Sequence, residues 1–204
     1  MRHVRERCVW SQRITHRDLV PYLIEEAHEV IEAVETEDRA GLREELGDLL
    51  WQVLFHSAVA AQDPDDPFDI DDVARGLTEK MVRRHPHVFG GAVARTPEEV
   101  LVHWNAAKAA EKRERRSVLD GVPAGMPALA RAQKVLGRAA KVVPVVERAE
   151  GETKRVDSES ALGDALIALV AHARTNGWDA ERALRERIRL LEDEVRAAEA
   201  GLDR

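Results

Sequence analysis

The chain has 204 residues, 34% charged and 44% hydrophobic, with a formal net charge of −7. That length can bury a real core in one domain or two small ones. The acidic balance excludes a nucleic-acid polymer as the main partner, because no basic face would neutralise its phosphates.

Aromatic residues make up only 4%, and Ile and Thr are sparse beside Ala, Leu, Glu and Arg. That composition favours helix over sheet. The one cysteine, Cys8, allows no internal disulfide and fits a reducing compartment. The opening MRHVRERCVW lacks the apolar core of a signal peptide. No run approaches the roughly 18 apolar residues of a membrane span. A cytoplasmic protein with no membrane attachment is expected.

In chain order, Leu23, Ala27, Val30, Ile31 and Val34 recur at helical spacing and predict a helix over 19–34. TEDRAGL interrupts the pattern. A second helix is predicted from about Arg43 to Ala61, stopped by the prolines and aspartates of DPDDP. Beyond its polar residues it is apolar nearly all round, which predicts burial. A third helix starts near Asp69 or Asp71, either able to cap it, and runs to Pro86. VFGGAVARTP reads as loop. Thr96 caps a fourth helix with Pro97 at its first position and Glu98 and Glu99 in its first turn.

After Ser117 the character changes. LDGVPAGMPA is rich in Gly and Pro, ALARAQKVLGRAAKV is a short helix, and ERAEGETKRVDSES is polar with no apolar period. Two helices close the chain. No segment alternates like a strand, so the fold is all-α. LGDLLWQVLFH (46–56) and LGDALIALVAH (162–172) share Leu, Gly, Asp, Leu and His in register, an internal echo. The expected division is a catalytic helical domain over 1–116, a linker with one short helix over 117–160, and a degenerate second helical repeat over 161–204.

The chemistry lies in the acids. Glu26 and Glu29 share one helix face, and Glu45 and Asp48 repeat that spacing on the next helix. Packed antiparallel, the two helices would crowd four carboxylates. Two such charges about 4 Å apart repel by roughly 4 kcal/mol at a typical effective dielectric. Protonation, exposure to water or a divalent cation would each relieve the cost. Hard oxygen ligands, without a cysteine or a histidine pair, suit Mg²⁺ or Mn²⁺. Glu25 and His28 make one Glu-x-x-His step, but a di-iron bundle wants two. Glu32, Glu35, Glu37 and Glu44 read as solvated surface.

Glu25, Glu26 and Glu29, then fifteen residues, then Glu45 and Asp48 spell Glu-Glu-x-x-Glu and Glu-x-x-Asp. This resembles the signature of MazG, the all-α nucleoside triphosphate pyrophosphohydrolases. CVWSQRITHRDLVPYLIEEAHEV, LREELGDLLWQVLFH, FDIDDVA, EKMVRRHPHVFGG and a later Trp-x-x-x-Lys are similar to that family in the same order, over about residues 8–140. The chain departs from it at Val9 and Ser11, where the family often has Cys-Pro-Trp-Asp, and at Ile14, where it has Gln.

The resemblance implies a MazG-like helical bundle in which Glu26, Glu29, Glu45 and Asp48 hold Mg²⁺, with Mn²⁺ a substitute, while Glu25 sits just outside and orients the attacking water. Lys80 and Arg84 share one helix face, as do Trp104 and Lys108. On their own these would read as solvated cations and a core tryptophan; the resemblance makes them nucleotide contacts. The helix end before Pro86 makes His85 and His87 structural. The implied function is Mg²⁺-dependent hydrolysis of nucleoside triphosphates to monophosphate and pyrophosphate, clearing noncanonical or excess nucleotides. A homodimer is expected from the apolar area left on the hairpin. The rival expectation is a nucleotide-binding regulator without turnover.

Overall fold

The computed structural model describes residues 1–111, 117–140 and 156–202. Among them are helices and no strand. The chain divides into two compact units, Met1–Glu111 and Lys112–Arg204.

The first unit is built on a helical hairpin. Helix α3 (His16–Glu35) begins at Thr15, whose hydroxyl accepts from the Asp18 backbone while the Asp18 carboxylate accepts from the Thr15 backbone. This reciprocal cap satisfies two backbone donors that the first turn would leave bare. Residues 36–38 make the turn. Glu37 adopts the left-handed region at φ 58°, and the Asp38 amide reaches back to the Ala33 carbonyl at 2.9 Å. So short a link forces antiparallel packing.

Helix α4 (Arg39–Ala60) starts earlier than its apolar pattern suggests. Asp38 Oδ1 accepts from the amides of Ala40 and Gly41, both at 3.0 Å. Gly41 therefore lies inside the first turn rather than breaking the helix. A Cβ there would meet Asp38 Oδ2 at 2.6 Å, so a larger residue would push the capping carboxylate aside.

Two short helices precede the hairpin, α1 (Arg2–Arg7) and α2 (Val9–Arg13), which the apolar periodicity does not show. Arg5, only 6% exposed, binds them to it. Its Nη1 donates to the carbonyls of Ser11 and Ile14, and its Nε and Nη2 donate to Gln62 Oε1 at 3.2 and 2.6 Å. Its guanidinium lies 6.0 Å from the Phe55 ring centroid. Ser11 is buried too, its hydroxyl 2.8 Å from the Val4 carbonyl. The unit's buried apolar residues are Leu19 and Ala33 on α3 and Phe55 and Ala60 on α4.

Helix α5 (Ile70–Arg84) packs on α4 and on α7. Asp69 caps it and Asp72 completes a second reciprocal cap. It stops at His85 because the following Pro86 disfavours helical geometry there. A single turn, α6 (Pro86–Phe89), then resumes, so Val88 and Phe89 belong to a helix rather than to loop. Helix α7 (Pro97–Ala110) is capped by Thr96, with Pro97 first, as the sequence indicates.

The burial of α4 corrects one expectation. Leu46, Leu50, Trp51 and Val53 are exposed, whereas Gln52 is 4% exposed. Within its unit α4 packs against α3 and α5, too few neighbours to cover an apolar cylinder. Its outward side stays open.

In the second unit, α8 (Ala128–Ala139), α9 (Glu159–Thr175) and α10 (Ala180–Leu202) pack together. Leu136, Val170 and Ala171 form the buried centre, with Leu129, Ala132 and Ala180 against it. Gln133 joins the turn between the last two helices, donating to the Trp178 carbonyl at 2.9 Å and accepting from the Ala180 amide at 3.2 Å. Most of ERAEGETKRVDSES, and all of KRERR after α7, lie outside the described residues.

Candidate active site

The hairpin positions the acids. Glu26 and Glu29 lie one turn apart on α3, and Glu45 and Asp48 do the same on α4. Glu26, Glu29 and Glu45 can each offer an oxygen within 4.8 Å of the others. Among the described residues this is the one group of three or more His, Cys, Asp or Glu close enough to share a metal ion. Asp48 lies outside the triplet but is felt by it.

Burial, then the charges of Asp48, Glu29 and Glu45, push the Glu26 carboxyl above the usual range. Burial, then Glu29, Glu44 and Asp48, push Glu45 up as well. Neither acid has an ion-pair partner among the described residues. Glu25 is exposed beside Glu26 and is not one of the triplet. Hard oxygen donors on two rigid helices, crowded and without a protein cation, fit a divalent ion such as Mg²⁺.

One turn beyond Asp48, Gln52 Oε1 is enclosed without a hydrogen-bond partner, and so is His56 Nε2. An enclosed, unpaired polar atom costs about 1–3 kcal/mol. The polar line of α4 therefore turns inward after Asp48, and these two atoms are enclosed there at a cost.

The basic residues lie on α5 and α7. Lys80 is exposed and Lys108 half-buried, neither with an ion pair among the described residues. Arg84 does have one. It is 9% exposed, bound to Glu111, and laid over Trp104 with its guanidinium 5.0 Å from the ring centroid. His85 meets Trp104 edge-on at 5.2 Å. One face of the indole is thus taken. Glu111 was not foreseen; it follows Lys108 by three on the same helix, the spacing at which a partner could have been sought. His85 Nδ1–H donates to the Met81 carbonyl at 2.7 Å, a structural contact.

The echo at Asp164 has no such setting. Among the described residues Asp164 belongs to no group of three or more His, Cys, Asp or Glu close enough to share a metal ion.

A helical hairpin with crowded carboxylates, in one unit with the cation-bearing helices α5 and α7, is the framework of the site. Residues 14–89 match the MazG nucleotide pyrophosphohydrolase domain. The chain is 36% identical over 213 residues to the nucleoside triphosphate pyrophosphohydrolase of Escherichia coli K12, covering 94% of this chain and 80% of that one. To the nucleoside triphosphate pyrophosphohydrolase/pyrophosphatase MazG of Thermotoga maritima it is 35% identical over 214 residues, covering 98% and 82%. An uncharacterized 26.1 kDa protein of Streptomyces cacaoi is 48% identical over 200 residues, covering 98% and 79%. The chain belongs to the MazG nucleotide pyrophosphohydrolase family, hydrolases acting on acid anhydrides.

Proposed function

We propose that this protein hydrolyses nucleoside triphosphates, ribo or deoxy, to the monophosphate and pyrophosphate in a Mg²⁺-dependent reaction. The observation that carries the reading is the Glu26, Glu29 and Glu45 triplet, whose carboxylates crowd within 4.8 Å with no cation beside them. With Asp48 these would hold Mg²⁺, or Mn²⁺ in its place. When bound, such an ion neutralises phosphate oxygens and acidifies a coordinated water.

The remaining roles belong to the chain. Glu25, outside the triplet, orients the attacking water and accepts its proton. The water's oxygen bonds to phosphorus as the anhydride bond between the α- and β-phosphates breaks, giving monophosphate and pyrophosphate. Lys80, Lys108 and Arg84 meet the phosphates as charge-assisted donors. Trp104 offers its remaining face to the nucleotide.

The exposed Leu46, Leu50, Trp51 and Val53 support a homodimer, because an apolar strip on a helix is normally covered. The setting is the cytoplasm, with free nucleotides as partners. No helix among the described residues is long and apolar enough to cross a membrane. The role follows the chemistry: removal of noncanonical or excess nucleotides.

Pyrophosphate release from the eight common NTPs and dNTPs, with Mg²⁺ and with EDTA, tests this. Release in Mg²⁺ and none in EDTA is expected. Tight nucleotide binding without release from any of the eight would make the protein a sensor instead.

A further inference from the structure

Among the cations of the site, Arg84 is held unlike the others. Its Nε lies 3.3 and 3.2 Å from the two Glu111 oxygens, and its Nη2 lies 2.5 Å from Oε2. Glu111 therefore occupies one whole edge of the guanidinium fork. Trp104 occupies one of its faces, 5.0 Å from centre to centre. The side chain keeps only 10% of its surface exposed.

What remains is the Nη1 end. It has no hydrogen-bond partner among the described residues. Nor is it among the enclosed polar atoms that lack one, which are Gln52 Oε1, His56 Nε2 and His87 Nδ1. Nη1 is therefore the end that reaches water. A guanidinium locked along one edge and pressed on one face can offer an anion only that end. It also has little rotamer freedom left to lose when the anion arrives.

Glu111 is itself well placed for the task. Arg84 first, then Arg83, holds its carboxyl below the usual range, so it stays charged. Arg83 reaches it at 3.3 Å but is 55% exposed and free to swing away. The buried partner is Arg84.

We propose that Glu111 is a positioning residue for substrate binding: it fixes Arg84 flat against Trp104 so that the Nη1 end faces a phosphate oxygen of the nucleotide. This rests on the proposed function, in which Arg84 meets the triphosphate. Glu111 does not touch the substrate. It acts through Arg84. A carboxylate that only tied α7 to α5 would change stability and leave substrate affinity alone.

The test uses the full chain and the variants Glu111→Gln, Glu111→Ala, Arg84→Ala and the Glu111→Ala/Arg84→Ala double variant. Steady-state kinetics on an NTP, calorimetric titration with inorganic pyrophosphate in Mg²⁺ and melting temperature are read for each. Glu111→Gln keeps the shape and one acceptor, so it serves if Glu111→Ala folds poorly. Expected are a rise in KM and a loss of pyrophosphate affinity of about three- to tenfold in Glu111→Gln, with a smaller change in kcat. The double variant should be no worse than Arg84→Ala alone.

If Arg84→Ala weakens binding while Glu111→Gln lowers only the melting temperature, Glu111 is a helix tie and the inference fails. If Arg84→Ala binds pyrophosphate and NTP like the parent, Arg84 does not meet the substrate and the inference fails with it. Pyrophosphate binding decides between these outcomes even where no turnover is seen, so failure of the catalytic reading remains distinguishable.

Discussion

His16 and His56 meet edge to edge, ring planes 8° apart and centroids 5.1 Å apart, with their Nδ1 atoms 2.8 Å from each other. The contact joins the first residue of α3 to the last turns of α4. Such a bond needs one Nδ1 carrying hydrogen and the other bare, so the pair cannot keep it with both rings charged. Burial, then the charge of His16, lowers the His56 pKa from its ordinary 6.5. The unfolded chain therefore takes up the proton first, and stability present above 6.5 is lost as pH falls through the folded value. Urea unfolding at neutral and mildly acidic pH should show wild type losing stability on acidification, and His56→Gln losing less. Equal slopes in the two would remove His56 as the cause.

Glu26 and Glu45 have the opposite sign. The Glu26 and Glu45 carboxyls are raised above their ordinary 4.5, so the folded protein holds their protons more tightly than the unfolded chain does. Their contribution favours the fold below 4.5 and is lost as pH rises through the folded values. In EDTA, Glu45→Gln should therefore gain on wild type in melting temperature as pH rises above that window. In Mg²⁺ the same variant, and Asp48→Asn, should lose about a hundredfold or more in turnover, comparable to losses on disturbing a metal's surroundings. Activity within a few-fold of wild type in either variant would falsify the four-acid site.

Glu37 holds a left-handed conformation, φ 58°, in the turn that makes the hairpin. A side chain in that region costs about 1–2 kcal/mol, and glycine relieves it while adding about 0.5–1 kcal/mol of unfolded-chain entropy. Glu37→Gly should be stabilising by up to about 1 kcal/mol in denaturant unfolding. Its turnover should match wild type, since Glu37 lies in the turn, about two helical turns from both Glu29 and Glu45. Destabilisation would mean that Glu37 makes a contact outweighing its strain.

Asp164 occupies the place in α9 that Asp48 occupies in α4, yet Ala161 stands where Glu45 does and Ala168 where Gln52 does. Of the two helices packed on it, α8 carries no carboxylate, and among the described residues no acid of α10 joins Asp164 in a group of three. A lone aspartate does not hold Mg²⁺ tightly. Asp164→Ala should therefore leave pyrophosphate release unchanged. Lost turnover with an unchanged circular-dichroism spectrum would require a second site.

Much was legible in the residues alone. The helical class follows from composition and from apolar spacing at 3.6 residues, and Asp69, Thr96 and Pro97 mark helix starts through the local chemistry of caps. The four acids were legible because i,i+3 spacing places each pair on one face before any folding is considered, and a short link makes the two helices antiparallel. Helices α1 and α2 were not legible, because a buried Arg5 holds them by bonds to Ser11, Ile14 and Gln62, and no apolar period signals such a knot. Only the tertiary structure decided that Gln52 turns inward while Leu50 and Trp51 turn out, because which side of a nearly all-apolar helix is covered depends on how many neighbours reach it. It likewise decided that Arg84 meets Glu111 and Trp104, since a cation's partner on another helix depends on packing that sequence spacing does not encode.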